Sequence, residues 1–236
     1  EQTVTIHSIT SLPTVALSVG TTLLDENAGT TSTPVTVTLS AISGIDVTVT
    51  LVKTGDAKEN KDYTLGGTGT ISISIPAGTQ TVSVTLAALP DSLDESDQET
   101  VVIDIDAVEK ATEKNGLQKQ AVAISDDDPT PTVELLVDPF LLDESVGATT
   151  AAVTATSSAV SGRDITVQLT KTGTARENKD YTLPGIIVIP EETPSASVTL
   201  VVSNDSLDEF DETVTIEMND VVQNGIEKGG FQQKIV

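Results

Sequence analysis

Apolar and polar residues alternate with a period of two in several short segments of the chain. The clearest examples are Val35–Leu39, Val47–Leu51, Ile71–Ile75 and Val82–Leu86. Because successive side chains of a strand point to opposite faces, this alternation predicts strands with one buried face. Thr, Val and Ile favour strands, Gly, Pro, Asp and Asn interrupt the runs, and no segment sustains a helical period. The pattern therefore predicts an all-β protein.

The chain contains two copies of one sequence unit. KTGDAKENKDYTL at residues 53–65 recurs as KTGTARENKDYTL at residues 171–183. Three further pairs recur in the same order along both copies: SGIDVTV and SGRDITV, DSLDESDQETV and DSLDEFDETV, EKNGLQKQAV and EKGGFQQKIV. Each copy contains about seven short strands, which is typical of an immunoglobulin-like sandwich. We therefore predict two tandem immunoglobulin-like Greek-key β-sandwiches.

The repeat alignment sets the predicted domain boundaries. The first repeat spans residues 13–128 and the second spans residues 129–236. The second has no counterpart of the AISDDD segment that ends the first, so we interpret it as truncated at its C-terminal end. Residues 1–12 are interpreted as the end of a preceding repeat or as a linker, because Val4–Ile6 align with the last strand of the first repeat. The expectation is a piece of a longer tandem array.

Composition disfavours several classes of function. The chain has 12 Lys and Arg against 36 Asp and Glu, a formal charge of −24, which argues against nucleic acid and anionic membrane surfaces as partners. It has no Cys, no Trp and one His, so thiolate zinc sites, His-based triads and aromatic sugar platforms are not expected. No apolar run has the length of a membrane helix. We expect a non-enzymatic monomer, although a paired-carboxylate glycosidase stays open as an alternative.

The carboxylates of the first repeat cluster where strands meet loops. Two carboxylates about 5 Å apart repel by roughly 3 kcal/mol at an effective dielectric constant of about 20. A divalent cation removes this repulsion, and Ca²⁺ suits a crowded acidic cluster better than Mg²⁺, which keeps its waters. DSLDESDQE lacks the glycine and the spacing of an EF-hand. The clusters are Asp25 and Glu26; Asp62; Asp91, Asp94, Glu95, Asp97 and Glu99; and Asp126, Asp127 and Asp128.

Five motifs in a fixed order resemble the Calx-β domain family. They are E-N-x-G, KDYT, IPAGTQTVSVTL, DSLDESDQETV and I-S-DDD-P, and the resemblance covers nearly all of both repeats. The family includes calcium-sensing domains of sodium–calcium exchangers and tandem domains of large bacterial surface proteins. The resemblance implies a β-sandwich that binds Ca²⁺ at the end where one domain meets its successor.

The ligand positions of the family are carried over motif by motif. Asn60-Lys61 and Pro90-Asp91 depart from the family's pattern, which implies fewer or weaker ions. In the first repeat the implied ligands are Glu26, Asp62, Asp91, Glu95, Asp126, Asp127 and Asp128, with Asp94 replacing or joining Glu95. In the second they are Glu144, Asp180, Asp205 and Glu209, an incomplete set because the acidic triplet is missing. We interpret Asp97, Glu99, Asp211 and Glu212 as solvent-facing strand residues.

The leading hypothesis is a calcium-binding structural module of an extracellular bacterial surface or adhesion protein, in which Ca²⁺ rigidifies the joint between domains. The expected partners are neighbouring repeats of the same chain. One alternative is a calcium-sensing regulatory domain pair of a transporter. The other is a pair of spacer domains that bind no metal, whose acids form a solvated edge that prevents aggregation.

Overall fold

The structure is a computed structural model, and it divides the chain into two compact units. The first unit comprises the residues up to Asp91 and Asp97–Asp127; the second comprises Ser92–Ser96 and Asp128–Val236. The residues that the structure describes are 2–5, 11–29, 31–116, 118–144, 149–204, 210–229 and 233–236. Among these residues, no helix is long and apolar enough to cross a membrane.

The first unit is built from two five-stranded sheets. Its strands are β1 (Thr14–Val19), β2 (Leu23–Asp25), β3 (Ser32–Leu39), β4 (Val47–Gly55), β5 (Tyr63–Thr64), β6 (Ile71–Ile75), β7 (Thr81–Ala88), β8 (Gln98–Glu109), β9 (Thr112–Glu113) and β10 (Gln120–Ser125). The strand orders are β5-β7-β3-β1-β9 and β2-β10-β8-β4-β6. The chain crosses between the sheets, as expected for a Greek-key sandwich, and seven of these strands have five or more residues.

Among the residues that the structure describes, the second unit repeats this plan with one strand fewer. Its strands are β11 (Thr132–Asp138), β12 (Thr150–Ser157), β13 (Ile165–Gly173), β14 (Tyr181–Thr182), β15 (Ile186–Ile189), β16 (Ser195–Val202), β17 (Val214–Gln223), β18 (Ile226–Glu227) and β19 (Gln233–Ile235). The orders are β14-β16-β12-β11-β18 and β15-β13-β17-β19. The described elements of both units are all strands, so the predicted all-β class and the pair of sandwiches are confirmed.

The core of each unit lies between its two sheets and is made of aliphatic side chains. The four segments whose alternation predicted strands lie within β3, β4, β6 and β7. On β4, Val47, Val49 and Leu51 have no exposed surface, whereas the threonines between them are half-buried. The period-two pattern therefore identified both the strands and the faces that they bury.

The repeat alignment matches Val4–Ile6 with the last strand of the first repeat, and the structure describes residues 2–5 of this region. Residues 2–5 have no strand conformation, and the side chain of Val4 is exposed. Ile6 lies outside the described residues. The assignment of residues 1–12 to a preceding repeat or a linker stays a prediction.

Candidate metal centre

The loop after β4 is held by a buried ion pair. Lys53 Nζ contacts Glu59 Oε2, and the two side chains are 4% and 7% exposed. Lys53 Nζ also donates hydrogen bonds to the carbonyl oxygens of Leu65 (3.1 Å) and Gly67, while the Leu65 N–H donates to Glu59 Oε1 (3.2 Å). The pair thus ties the start of the loop to the chain that follows it, which fixes the path of the residues between them.

A tight turn within this loop presents Asp62. Asn60 adopts a left-handed conformation, with φ +67°, and its N–H donates to the Tyr63 carbonyl (2.8 Å). The N–H of Asp62 donates to the Lys58 carbonyl (2.9 Å), and the Lys58 N–H donates to Asp62 Oδ2. Asparagine tolerates the left-handed region better than most residues, so this sequence supports the turn that buries Asp62.

The same turn is built in the second unit. Asn178 has φ +66° and donates from its N–H to the Tyr181 carbonyl (2.8 Å). The Arg176 N–H donates to Asp180 Oδ2 at 2.6 Å. Lys171 Nζ pairs with Glu177 as Lys53 does with Glu59, but these side chains are 14% and 37% exposed. The matching sequence of the two repeats therefore produces the same turn in both units, and the ion pair beside it is more exposed to solvent in the second.

Glu26 lies where β2 runs beside the end of β10. Strand β2 pairs in parallel with β10, with Asp25 opposite Ser125, and the Glu26 N–H donates to the Ser125 carbonyl (3.3 Å). A carboxylate oxygen of Glu26 lies within 4.8 Å of one of Asp91, and we call these two residues the Glu26 group. Two of the implied ligands are therefore brought together within the first unit, and Asp128, in the second unit, is half-buried.

Asp62 lies near Glu99, at the first residues of β8. An oxygen of Asp62 lies within 4.8 Å of one of Glu99, and we call these two residues the Asp62 group. Glu95, which belongs to the second unit, is buried as well. The interpretation of Glu99 as solvent-facing is wrong, because the residue is half-buried. The alternation along the strand indicates this burial, because residue 99 lies on the same face as Val101 and Ile103. Both of these residues are fully buried.

Both groups fit a hard divalent cation. Every donor is a carboxylate oxygen, which suits Ca²⁺ or Mg²⁺ and not thiophilic metals. Oxygens on opposite sides of one Ca²⁺ ion lie up to about 4.8 Å apart, since each Ca–O distance is about 2.4 Å. Two unit charges at that separation repel by about 3.5 kcal/mol at an effective dielectric constant of about 20. A cation bound among these oxygens would remove this repulsion.

Asp94 has an arginine as its partner. Its carboxylate accepts hydrogen bonds from Arg163 Nη2 (2.7 Å) and Thr130 Oγ1 (3.0 Å), and its backbone carbonyl accepts from Ser161 Oγ (2.9 Å). All four residues belong to the second unit. A charge-assisted bond to a guanidinium already compensates this carboxylate, so Asp94 needs no ion to neutralise its charge.

The other implied ligands are dispersed. Asp127 Oδ1 accepts a hydrogen bond from Asn27 Nδ2 (2.7 Å), and Asp126 is half-buried beside it in the chain. Among the described residues, neither belongs to a group of three carboxylates. In the second unit, Glu144 and Asp180 line one groove, whereas Asp205 and Glu209 lie outside the described residues. These ligand assignments stay predictions.

Each unit has one tyrosine beside its loop acids. Burial raises the pKa of the Tyr63 phenol, and the nearby charges of Glu59 and Asp62 raise it further. Burial raises the pKa of Tyr181 as well, followed by the charges of Glu177 and Asp180. The equal directions and equal causes indicate the same electrostatic surroundings at the two loops.

Comparison with known proteins gives only distant similarities. No family model and no curated protein matches the chain. The solved calcium binding domain CBD12 of CALX1.1 is 17% identical, with a TM-score of 0.38, over 84% of this chain and 76% of that one. The apo-form Calx CBD1 domain is 16% identical, with a TM-score of 0.40, over 50% of this chain and 100% of that one. Similarities at this level carry no inference about what this chain binds.

Proposed function

We propose that the chain is a pair of non-enzymatic calcium-binding β-sandwich modules. The observation that carries the proposal is the burial of Glu26 and Asp62, which are 4% and 3% exposed, each with an oxygen of a second carboxylate within 4.8 Å. Burying negative charges close together is costly unless positive charge compensates them. A divalent cation supplies that charge, and carboxylate oxygens are the ligands that Ca²⁺ prefers.

Thermal unfolding of the whole chain tests the proposal. At a hundredfold excess over the Kd, Ca²⁺ should stabilise the folded state by about 2.7 kcal/mol. For a unit of roughly 120 residues, this corresponds to a rise of about 10 °C in melting temperature. Differential scanning calorimetry in EDTA and across a Ca²⁺ titration measures it. An unchanged melting temperature throughout the titration would contradict calcium binding.

Matched variants separate a specific site from general screening of negative charge. Glu26→Gln and Asp62→Asn each remove one buried carboxylate charge and should weaken the calcium-induced shift by several degrees. Asp106→Asn removes the same charge from an exposed position of β8 and should leave the shift intact. If all three variants lost the shift equally, the effect of Ca²⁺ would be screening and not site binding.

The acidic segment between the repeats suggests a structural role for the ion. Residues 126–131 connect β10 to β11 and carry the aspartate triplet together with Pro129 and Pro131. Proline restricts both itself and the residue before it to extended conformations. We propose that Ca²⁺ held by Asp128 stiffens this joint. Amide hydrogen exchange at residues 126–128 should then slow by about tenfold on adding Ca²⁺, and equal exchange in EDTA would argue against a stiffened joint.

The wider context proposed is an extracellular bacterial surface or adhesion protein with further repeats of this kind. The repeat structure and the strongly acidic composition support it, because tandem acidic modules gain stiffness from calcium. Sequencing the gene on both sides separates this proposal from the transporter alternative. Additional repeats favour the surface array, and adjoining membrane helices favour the regulatory pair.

A further inference from the structure

The edge strand β15 of the second unit is aliphatic on both of its faces. It lies at one end of the strand order β15-β13-β17-β19 and pairs with β13. Ile187 and Ile189 belong to the core and are 1% and 0% exposed. Ile186 and Val188, on the outer face, are 50% and 44% exposed. An aliphatic strand at an open sheet edge is a surface that pairs readily with another strand.

The corresponding edge strand of the first unit, β6, is polar on its outer face. Strand β6 pairs with β4 in the same register in which β15 pairs with β13. Ser72 and Ser74, both exposed, occupy the positions of Ile186 and Val188. Serine at these two positions is therefore compatible with the fold. The core does not require the two aliphatic side chains that the second unit exposes.

The backbone groups of Ile186 and Val188 point away from β13. The Leu169 N–H donates to the Gly185 carbonyl at 2.9 Å, so these two residues form a hydrogen-bonded pair. Hydrogen-bonded and non-hydrogen-bonded pairs alternate along an antiparallel ladder, which makes Ile187 the next residue that bonds to β13. The N–H and C=O groups of Ile186 and Val188 are therefore directed to the open edge.

Two prolines delimit this open edge. Pro184 lies two residues before Ile186 and Pro190 two residues after Val188, so they occupy the next outward-facing positions. Neither proline has an N–H to donate. The Pro190 carbonyl already accepts hydrogen bonds from the N–H (3.1 Å) and the hydroxyl (2.7 Å) of Thr193. The edge thus presents the N–H groups of Ile186 and Val188 between two positions that have no donor.

The outward-facing positions of β15 have the same order in both directions: proline, aliphatic, aliphatic, proline. A two-fold antiparallel pairing requires this symmetry, because residue i of one molecule then meets residue j of the other and the reverse. We infer that β15 pairs edge to edge with β15 of a second molecule of this chain. Ile186 of one molecule lies opposite Val188 of the other, and each such pair exchanges two backbone hydrogen bonds.

A second molecule of this chain satisfies the edge more completely than an unrelated strand does. An unrelated strand carries N–H groups opposite Pro184 and Pro190, and Thr193 already occupies the carbonyl of Pro190. In the symmetric pair proline faces proline, so no outward-facing N–H is left without an acceptor. Ile186 and Val188 of the two molecules also lie side by side on one face, where cross-strand pairs stabilise a sheet.

Charge repulsion limits this pairing and gives it a characteristic dependence on salt. Each molecule carries a formal charge of −24, and the contact is short. At low salt and micromolar concentration, the chain is therefore the monomer that we expect from its composition. At 1 M salt the Debye length falls to about 3 Å, so pairing should appear at a concentration of about 1 mM. A basic partner would show the opposite dependence, because salt weakens the attraction between opposite charges.

Analytical ultracentrifugation of the whole chain in EDTA, in low and high salt, measures the association. The weight-average mass should rise toward twice the monomer mass at millimolar concentration in high salt. Amide exchange at residues 186 and 188 should then slow by about twofold when half of the molecules are paired. Exchange at Ser72 and Ser74 of β6 should not change. Because calcium is absent throughout, this inference and the calcium proposal can each fail alone.

Two variants separate edge pairing from general adhesion of apolar surface. Ile186→Ser combined with Val188→Ser gives β15 the outer face of β6, so it should fold and remain monomeric in high salt. Val188→Pro keeps an apolar side chain but removes one outward N–H, and proline is tolerated at such edge positions. It should remain monomeric as well. The inference is overturned if the unaltered chain stays monomeric at millimolar concentration in high salt, or if either variant associates as strongly as the unaltered chain.

Discussion

Substitution of Lys53 by methionine tests how strongly the loop that carries Asp62 depends on its buried ion pair. The change keeps most of the apolar stem of the side chain and removes the charge. Glu59 would then remain 7% exposed without its lysine. The second unit provides an internal comparison, because the same pair there, Lys171 with Glu177, is 14% and 37% exposed.

The burial of each ion pair determines how much stability is lost when its lysine is removed. Breaking a buried ion pair by removing one partner costs about 3 to 5 kcal/mol, because an uncompensated charge is left behind. Lys53→Met should therefore lower the stability of the first unit by about that amount. Lys171→Met should cost about 1 kcal/mol or less, since water solvates Glu177. Lys53→Met with Glu59→Gln should recover part of the loss, because no unpaired charge remains.

The assay uses the two tyrosines of the chain as reporters. The chain has two Tyr and no Trp, with Tyr63 in the first unit and Tyr181 in the second. In a Tyr181→Phe background, tyrosine emission during urea denaturation reports the first unit alone. With an m value of about 1.5 kcal/mol per molar, the expected loss lowers the urea midpoint by about 2 to 3 M.

Two results would refute this reasoning. Equal losses from Lys53→Met and Lys171→Met would show that burial of the pair does not set its contribution. A double variant as unstable as Lys53→Met alone would show that packing of the lysine stem, and not an uncompensated Glu59, determines the cost. Emission of Tyr181 in a Tyr63→Phe background provides the same measurement for the second unit.

Two further predictions follow from the first unit. Gly55 has φ +122°, and a Cβ there would lie 1.9 Å from the Thr100 carbonyl oxygen, so Gly55→Ala should lower the free energy of unfolding by at least about 3 kcal/mol. Gly67 has φ +96° and no atom within 4 Å of such a Cβ, so Gly67→Ala should cost about 1 to 2 kcal/mol. Equal urea midpoints for the two variants would contradict this difference. Burial and nearby charges raise the pKa of Tyr63 in the folded state. The contribution of this tyrosine to the free energy of unfolding is therefore complete below its ordinary pKa of about 10. That contribution is lost as pH rises through the folded-state pKa. Glu59→Gln should lower that pKa in a tyrosinate absorbance titration of a chain with Tyr181→Phe, and an unchanged titration would count against Glu59 as a cause.

Much of the candidate site could be predicted because its residues belong to short motifs at strand ends. Glu26 and Asp91 come from distant segments, and the resemblance to a known family implied both of them as ligands. Glu99 was misinterpreted because it is the first inward residue of a long strand. Parity with Val101 and Ile103 indicates the inward direction of its side chain, but not that Asp62 lies beside it. Asp94 was ambiguous because Arg163, its partner, lies far along the chain.

The sequence by itself determined the strands, their buried faces and the doubling of the fold, because side-chain direction in a strand depends only on local backbone geometry. It also determined the turns at Asn60 and Asn178, since identical loops form the same short-range hydrogen bonds. Only the tertiary structure decided which carboxylates lie within reach of one ion. Only it decided that the ion pair of Lys53 with Glu59 is buried, whereas that of Lys171 with Glu177 is more exposed. Both outcomes depend on contacts between segments that are remote in sequence, and no local pattern encodes them.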